Sequence, residues 1–195
     1  MFIRMLAALL LATSAATSAA SPAPYVVMQD DLAQLKADFN AAADGVRLVF
    51  IVGPSCPVCL RGLADLNRAL LDGNDDARLW TFVMHVPTLG ATEKHVPDAA
   101  ALVTGGAHVT HYWEDSGIVG RLYEETLGFD GIYAWDVWMV YKPGVRWEGR
   151  LPPKPDFAMQ QLKSHPKVQK LIPLLDSKRF AEVVKGDLAE LALPQ

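Results

Sequence analysis

Between Asp30 and Ala43 the apolar residues Leu32, Leu35, Phe39 and Ala42 recur at steps of three and four, which is the spacing of one helix face. Asp30 or Asp31 stands where an N-cap is needed. The pattern then changes. Arg47 to Val52 is short and almost continuously apolar, as expected of a strand buried on both faces of a sheet. Gly53-Pro54 ends it, and Pro57 opens a second helix predicted to reach about Leu71. Proline suits a first helical position because the N–H it lacks has no helical partner there. Leu79 to Val86 reads as the next strand and completes a βαβ unit.

Downstream, Thr92 to Val103 and Gly117 to Leu127 are predicted helices separated by Gly105-Gly106, so Pro87 to Asp130 reads as a helical stretch. Trp135 to Tyr141 is apolar and aromatic, and Lys142-Pro143-Gly144 turns it into Val145 to Leu151, giving an expected β-hairpin. Arg146, Glu148 and Arg150 suit an edge for the second strand. Pro152-Pro153-Lys154-Pro155 breaks the pattern, and Asp156 to Leu191 reads as helical with interruptions near Pro166, Pro173 and Gly186. The pattern leaves open whether these last helices pack on the sheet or form an appendage.

The chain has 195 residues, 51% hydrophobic and 21% charged, a composition that excludes a disordered tail or a fibre. That length buries a core without disulfide staples. Lys plus Arg number 18 against 22 Asp plus Glu, for a net charge of -4, and no basic run interleaves with aromatics, so nucleic acid is not the expected partner. Met1 to Ala20 joins Arg4, an apolar run from Met5 to Ala12 and small residues from Ser14 to Ala20, the form of a secretory signal. Ser18 and Ala20 fit cleavage after Ala20. The apolar run is shorter than the roughly 20 residues of a bilayer span, and no second such stretch follows. The expected mature protein has no stable membrane span and is periplasmic or secreted, where disulfides persist.

The two cysteines, Cys56 and Cys59, are spaced C-x-x-C between a buried strand and a helix, the context of a redox dithiol. With Cys56 as N-cap and Pro57 as first helical residue, the Cys56 sulfur faces the unpaired amides of Val58 and Cys59, and the helix dipole favours its thiolate. Cys59 shares a stripe with Leu63, Leu66 and Leu70, while Arg61, Asp65 and Arg68 mark the solvent face. Cys56 is therefore the expected exposed attacker and Cys59 the sheltered resolver. Two other readings compete. A structural disulfide closing four residues stabilises by about 2 kcal/mol, against roughly 3 for a fifteen-residue loop. A structural zinc site usually takes four ligands, and there is no second cysteine pair.

These residues resemble the thioredoxin superfamily, in its exported TlpA and peroxiredoxin-like branch. The resemblance covers about Val46 to Leu151. It is carried by Leu48-Val49-Phe50-Ile51-Val52 leading into Cys56-Pro57-Val58-Cys59, by Asp115-Ser116-Gly117-Ile118-Val119 before a helix, and by Val137-Trp138-Met139-Val140-Tyr141 running into Pro143-Gly144. It implies an α/β, thioredoxin-like fold: a central mixed sheet flanked by helices, with a helical insertion over Pro87 to Asp130 and C-terminal helices. The implied layout is a signal peptide over 1–20, a thioredoxin-like domain over 21–155 and a C-terminal helical extension over 156–195. The implied activity is thiol-disulfide exchange with a protein client and a redox donor, needing no cofactor beyond the Cys56-Cys59 pair.

Two features depart from that family. Its members usually place a cis-proline before the strand facing the dithiol, and here Trp135-Asp136 holds that place. Thioredoxins also carry a buried carboxylate six positions before the attacking cysteine, where this chain has Phe50. Asp136, which the alignment brings near the sulfurs, is the candidate to move protons in its stead; otherwise it is an ordinary strand-opening residue bonded to local backbone. His85 raises a rival function. Two thiolates and an imidazole suit a soft ion such as copper(I), and exported copper chaperones of the Sco type pair cysteines with a distant histidine, although theirs are spaced C-x-x-x-C. Cys56, Cys59 and His85 are then the candidate ligands, unless His85 is a satisfied structural histidine; His108-x-x-His111 reads as a surface pair. Pro57, Val58, Trp113 and Trp135 are the candidate client-contacting residues, with Trp138 and Tyr141 as packing. A binding module that kept the fold without turnover is the third reading.

Overall fold

The computed structural model describes residues 25–28 and 32–191. The predicted export segment and the candidate caps Asp30 and Asp31 lie outside them. Six strands, β1 (Tyr25–Val27), β2 (Val46–Val52), β3 (Leu79–His85), β4 (His108–Trp113), β5 (Val137–Tyr141) and β6 (Phe157–Gln160), form one sheet in the order β1-β4-β3-β2-β5-β6. The apolar run read as a doubly buried strand is its centre, and all seven residues of β2 are buried. β2 pairs in parallel with β3, from Val46 with Leu79 to Val52 with His85, and antiparallel with β5, from Arg47 with Tyr141 to Ile51 with Val137.

Because side chains alternate along a strand, β2 feeds two cores. Val49 and Ile51 point to one face, with Leu35 and Phe39 of α1 (Ala33–Ala41) and Val119 and Tyr123 of α4 (Ile118–Leu127). Val46, Leu48, Phe50 and Val52 point to the other. There they meet Leu63 and Leu66 of α2 (Pro57–Leu66) and Phe180, Val184 and Leu188 of α6 (Ser177–Glu190). The C-terminal chain thus packs on the sheet. A βαβ half and an antiparallel β-strand pair, joined through the central strand and closed by a helix, is the thioredoxin arrangement, widened at one edge by β4 and β1.

Charged Arg47 is tolerated inside β2 because its guanidinium lies 4.5 Å over the Phe39 ring and donates to the carbonyls of Val145 and Lys142. Gly62 lets α2 approach the sheet closely, since a Cβ there would come within 2.5 Å of the Trp138 ring.

Several elements differ from the sequence pattern. The stretch Pro87 to Asp130 is not wholly helical. It contributes one helical turn at Glu93–His95, α3 (Val96–Ala100) and α4, and also strand β4, which pairs with β3 along its whole length. His108 and His111 therefore sit on opposite faces of a strand and not on one helix face. The partner of β5 is β6, not Val145 to Leu151. The side chain of Asn40 clamps Trp147 of that loop through both main-chain groups, at 3.0 and 2.8 Å, and its indole is buried against Phe39 of α1, so the segment is pinned to a helix and not paired with β5. β6 then rises from within the region read as helical. The second helix passes at Asn67 into a wider turn that runs to Leu71.

Candidate functional site

At the end of β2 the chain turns through Gly53-Pro54-Ser55, and Cys56 takes the N-cap of α2 with Pro57 at the first helical position. The Cys56 amide donates to the Gly53 carbonyl at 3.0 Å, which fixes the turn. The Cys56 sulfur then accepts the Cys59 amide at 3.5 Å. This is what the spacing predicted, and its electrostatic effect follows. The Cys56 thiol is lowered to about 6, first by the Cys59 S–H, then by the amides of Cys59 and Val58 and by Arg61, against a desolvation that opposes them. Cys59, one turn deeper, is driven far above the ordinary thiol range by the Cys56 sulfur, by burial and by Asp136. The pair is asymmetric: one sulfur holds charge and the other holds a proton. Both thiols are free.

Asp136 reaches this pair. One carboxylate oxygen and the two sulfurs all lie within 4.8 Å of one another. The residue is 2% exposed and stands in the left-handed region, φ 54°, just before β5. Its Oδ1 finds no hydrogen-bond partner among the described residues. Burial pushes the carboxyl up to about 7, helped by the Cys56 charge and opposed by the Cys59 thiol, the Trp138 indole and Arg61. Phe50 sits behind, edge-on to Trp138 at 5.1 Å and to Phe180 at 6.0 Å. A carboxylate therefore stands near the sulfurs from across the sheet, at the residue just before β5 and not within β2.

The expected exposure of Cys56 is not found. Cys56 is 3% exposed and Cys59 fully buried, with half-buried Val58 and Trp135 packed against the cluster that holds both. Pro57 is exposed. Trp135 also lines a cleft of about 470 Å³ with Thr88, Leu89, Arg121 and Tyr133. The cleft borders the dithiol through Thr88, which packs on Gly53. Trp113 is not part of it; it is buried in β4, 4% exposed.

His85 does not join the sulfurs. It lies fully buried on the α2 face of β3, its Nε2 3.0 Å from Nδ1 of His111, in stacked rings. Burial lowers His85 to about 3, with help from His111, and lowers His111 to about 4, so the pair is neutral. Among the described residues, the group close enough to share an ion is Cys56, Cys59 and Asp136. Arg61, read as a solvent-facing residue, was missed as a contributor to the Cys56 charge; its exposed place at the start of the second turn of α2 was the signal.

No helix among the described residues is long and apolar enough to cross a membrane. No family model matches the chain, and no curated protein matches it in sequence. Among solved structures it is similar to a secreted Mycobacterium tuberculosis disulfide oxidoreductase homologous to E. coli DsbE, at 8% identity over 75% of this chain and 84% of that one, with a TM-score of 0.48.

Proposed function

We propose that this protein is an exported thiol-disulfide oxidoreductase acting on a protein client. The observation that carries the reading is the geometry at the start of α2, where the Cys56 sulfur caps the helix and accepts the Cys59 amide while the Cys59 sulfur lies deeper, beside the Asp136 carboxyl. In the reducing direction, the Cys56 thiolate attacks a client disulfide and forms a mixed disulfide, releasing one client sulfur as a thiolate. Asp136 in its ionised form takes the Cys59 proton. The Cys59 thiolate then attacks the Cys56 sulfur, closing the Cys56–Cys59 disulfide and expelling the second client sulfur. Two electrons pass to the client, and a dithiol donor of the same compartment returns them. The reverse sequence oxidises a client dithiol.

Since Cys56 is almost covered, the client has to displace part of the packing around it. Val58 and Trp135, with Pro57 at the surface, are the residues it meets first. The form of the Met1 to Ala20 segment supports an extracytoplasmic site of action. The test is reduction of a small disulfide protein by the purified chain under chelator. Cys56→Ser is expected to abolish it, and Cys59→Ser to accumulate a mixed disulfide that strong reductant releases. Turnover unchanged in Cys56→Ser contradicts the reading.

A further inference from the structure

We propose that the reduced dithiol and Asp136 together bind a zinc ion. The site is the one assigned above to exchange, taken in its reduced state, but the inference stands on geometry and not on that activity. Three donors of the right chemistry converge: two sulfurs and a carboxylate oxygen, mutually within 4.8 Å, from the first turn of α2 and the start of β5. Zinc bonds of about 2.3 Å to sulfur and about 2.0–2.2 Å to oxygen set tetrahedral donors roughly 3.6–3.8 Å apart. The cluster closes on an ion by moving about 1 Å or less.

The second observation concerns the carboxylate itself. Asp136 is 98% buried, and its Oδ1 has no hydrogen-bond partner among the described residues. A buried carboxylate oxygen left unpaired costs free energy, and a cation supplies what the protein around it does not. The backbone holds the residue at φ 54°, a conformation disfavoured for a non-glycine residue, with the carboxyl on the sulfur side of the sheet.

The donor set selects the ion. Two thiolates suit copper(I) and zinc alike, but a carboxylate is a hard donor that zinc accepts and copper(I) does not favour. The imidazole that copper would want, His85, is engaged with His111. On binding, Cys56 enters as the thiolate it already is, Cys59 and any protonated Asp136 carboxyl release their protons to water, two Zn–S bonds and one Zn–O bond form, and no electron moves. The fourth position is left to water or to a donor brought by a partner. Zinc held there ties up the electron pair with which Cys56 attacks, so loading silences exchange and chelation restores it.

The test uses the metal alone. The reduced protein is titrated with cobalt(II), followed by absorbance, and then with zinc against a chromophoric chelator. One ion per chain is expected, with thiolate-to-cobalt charge-transfer absorption that zinc displaces. Asp136→Asn should weaken zinc binding by at least about tenfold. Oxidation of the wild-type dithiol should abolish binding, an arm that needs no variant to fold. Equal zinc affinity in a folded Asp136→Asn protein, equal binding after oxidation, or no uptake by the reduced chain each overturns the proposal. Disulfide exchange under chelator is read separately, so failure of either reading leaves the other standing.

Discussion

Two buried polar clusters share the α2 face of the sheet, and they meet burial in opposite ways. The histidine pair on β3 and β4 gives up its charge: desolvation holds both rings neutral, and one ring nitrogen bonds the other. The dithiol centre keeps a charge, because the Cys59 S–H, then the first-turn amides of Cys59 and Val58 and the Arg61 charge, favour the Cys56 thiolate, while Asp136 and Cys59 compete for a proton. Depth alone does not decide which cluster is reactive. What differs is a neighbouring S–H together with a helix N-terminus, which compensate negative charge at Cys56.

The contrast makes opposed statements about acid and base. Asp136, raised to about 7, binds a proton in the native state that the unfolded chain has lost above pH ~4. Its contribution to stability is present in acid and falls as pH rises through about 7. The histidines run the other way. With folded values of about 3 and about 4 against about 6.5 unfolded, the unfolded chain takes up protons first, and stability falls as pH drops from near 6.5 toward 3.

The most damaging single change expected for exchange is Cys56→Ser, which should bring disulfide reduction to the uncatalysed rate, measured by turnover of a small disulfide substrate. Asp136→Asn should slow release of the mixed disulfide by roughly a hundredfold, the scale of general acid–base catalysis, read by single-turnover kinetics. The same variant should remove the Asp136 contribution that works against the histidine trend between pH ~4 and ~7, a difference between variant and wild type of roughly 4 kcal/mol across the window, read by denaturant titration of the reduced proteins at several pH values. A wild-type pH profile retained in the variant breaks the assignment of that carboxyl. Replacing His85 by leucine should leave turnover and zinc affinity unchanged and cost about 1–3 kcal/mol, since His111 loses its buried partner. A redox defect in that variant erases the distinction between the two clusters. Trp135→Ala is expected to have the smallest effect, a severalfold faster alkylation of Cys56 by a neutral reagent as packing over the sulfur opens.

Much of this was legible in the chain because it rests on local spacing. Continuous apolarity marked β2, Pro57 marked the first turn of α2, and the C-x-x-C spacing set one sulfur above the other. Asp136 was reachable through the resemblance, because the residue before β5 is where that fold brings the opposite strand to the dithiol. Tertiary contacts hid the rest. His108 to Trp113 carries β-branched and aromatic residues between a glycine pair and an acidic turn, the marks of a strand, but His108 and His111 also fit a helical spacing. Trp147 looked like part of an edge strand, and the side chains of Asn40 and Lys36, far away in sequence, pin its segment to α1. Trp113 read as a groove residue from its charged neighbours; pairing of β4 with both β1 and β3 puts it inside. Exposure of Cys56 failed for the same reason, since no local pattern announces that Val58 and Trp135 pack against the core cluster that holds both sulfurs.

The most direct measurement is the rate of Cys56 alkylation against pH in the reduced, metal-free protein. A single inflection near pH 6, absent in Cys56→Ser, is the predicted result. An inflection near 8.5, the value of an unperturbed thiol, would mean that the α2 N-terminus does not hold the thiolate, and the account of the dithiol would fail with it.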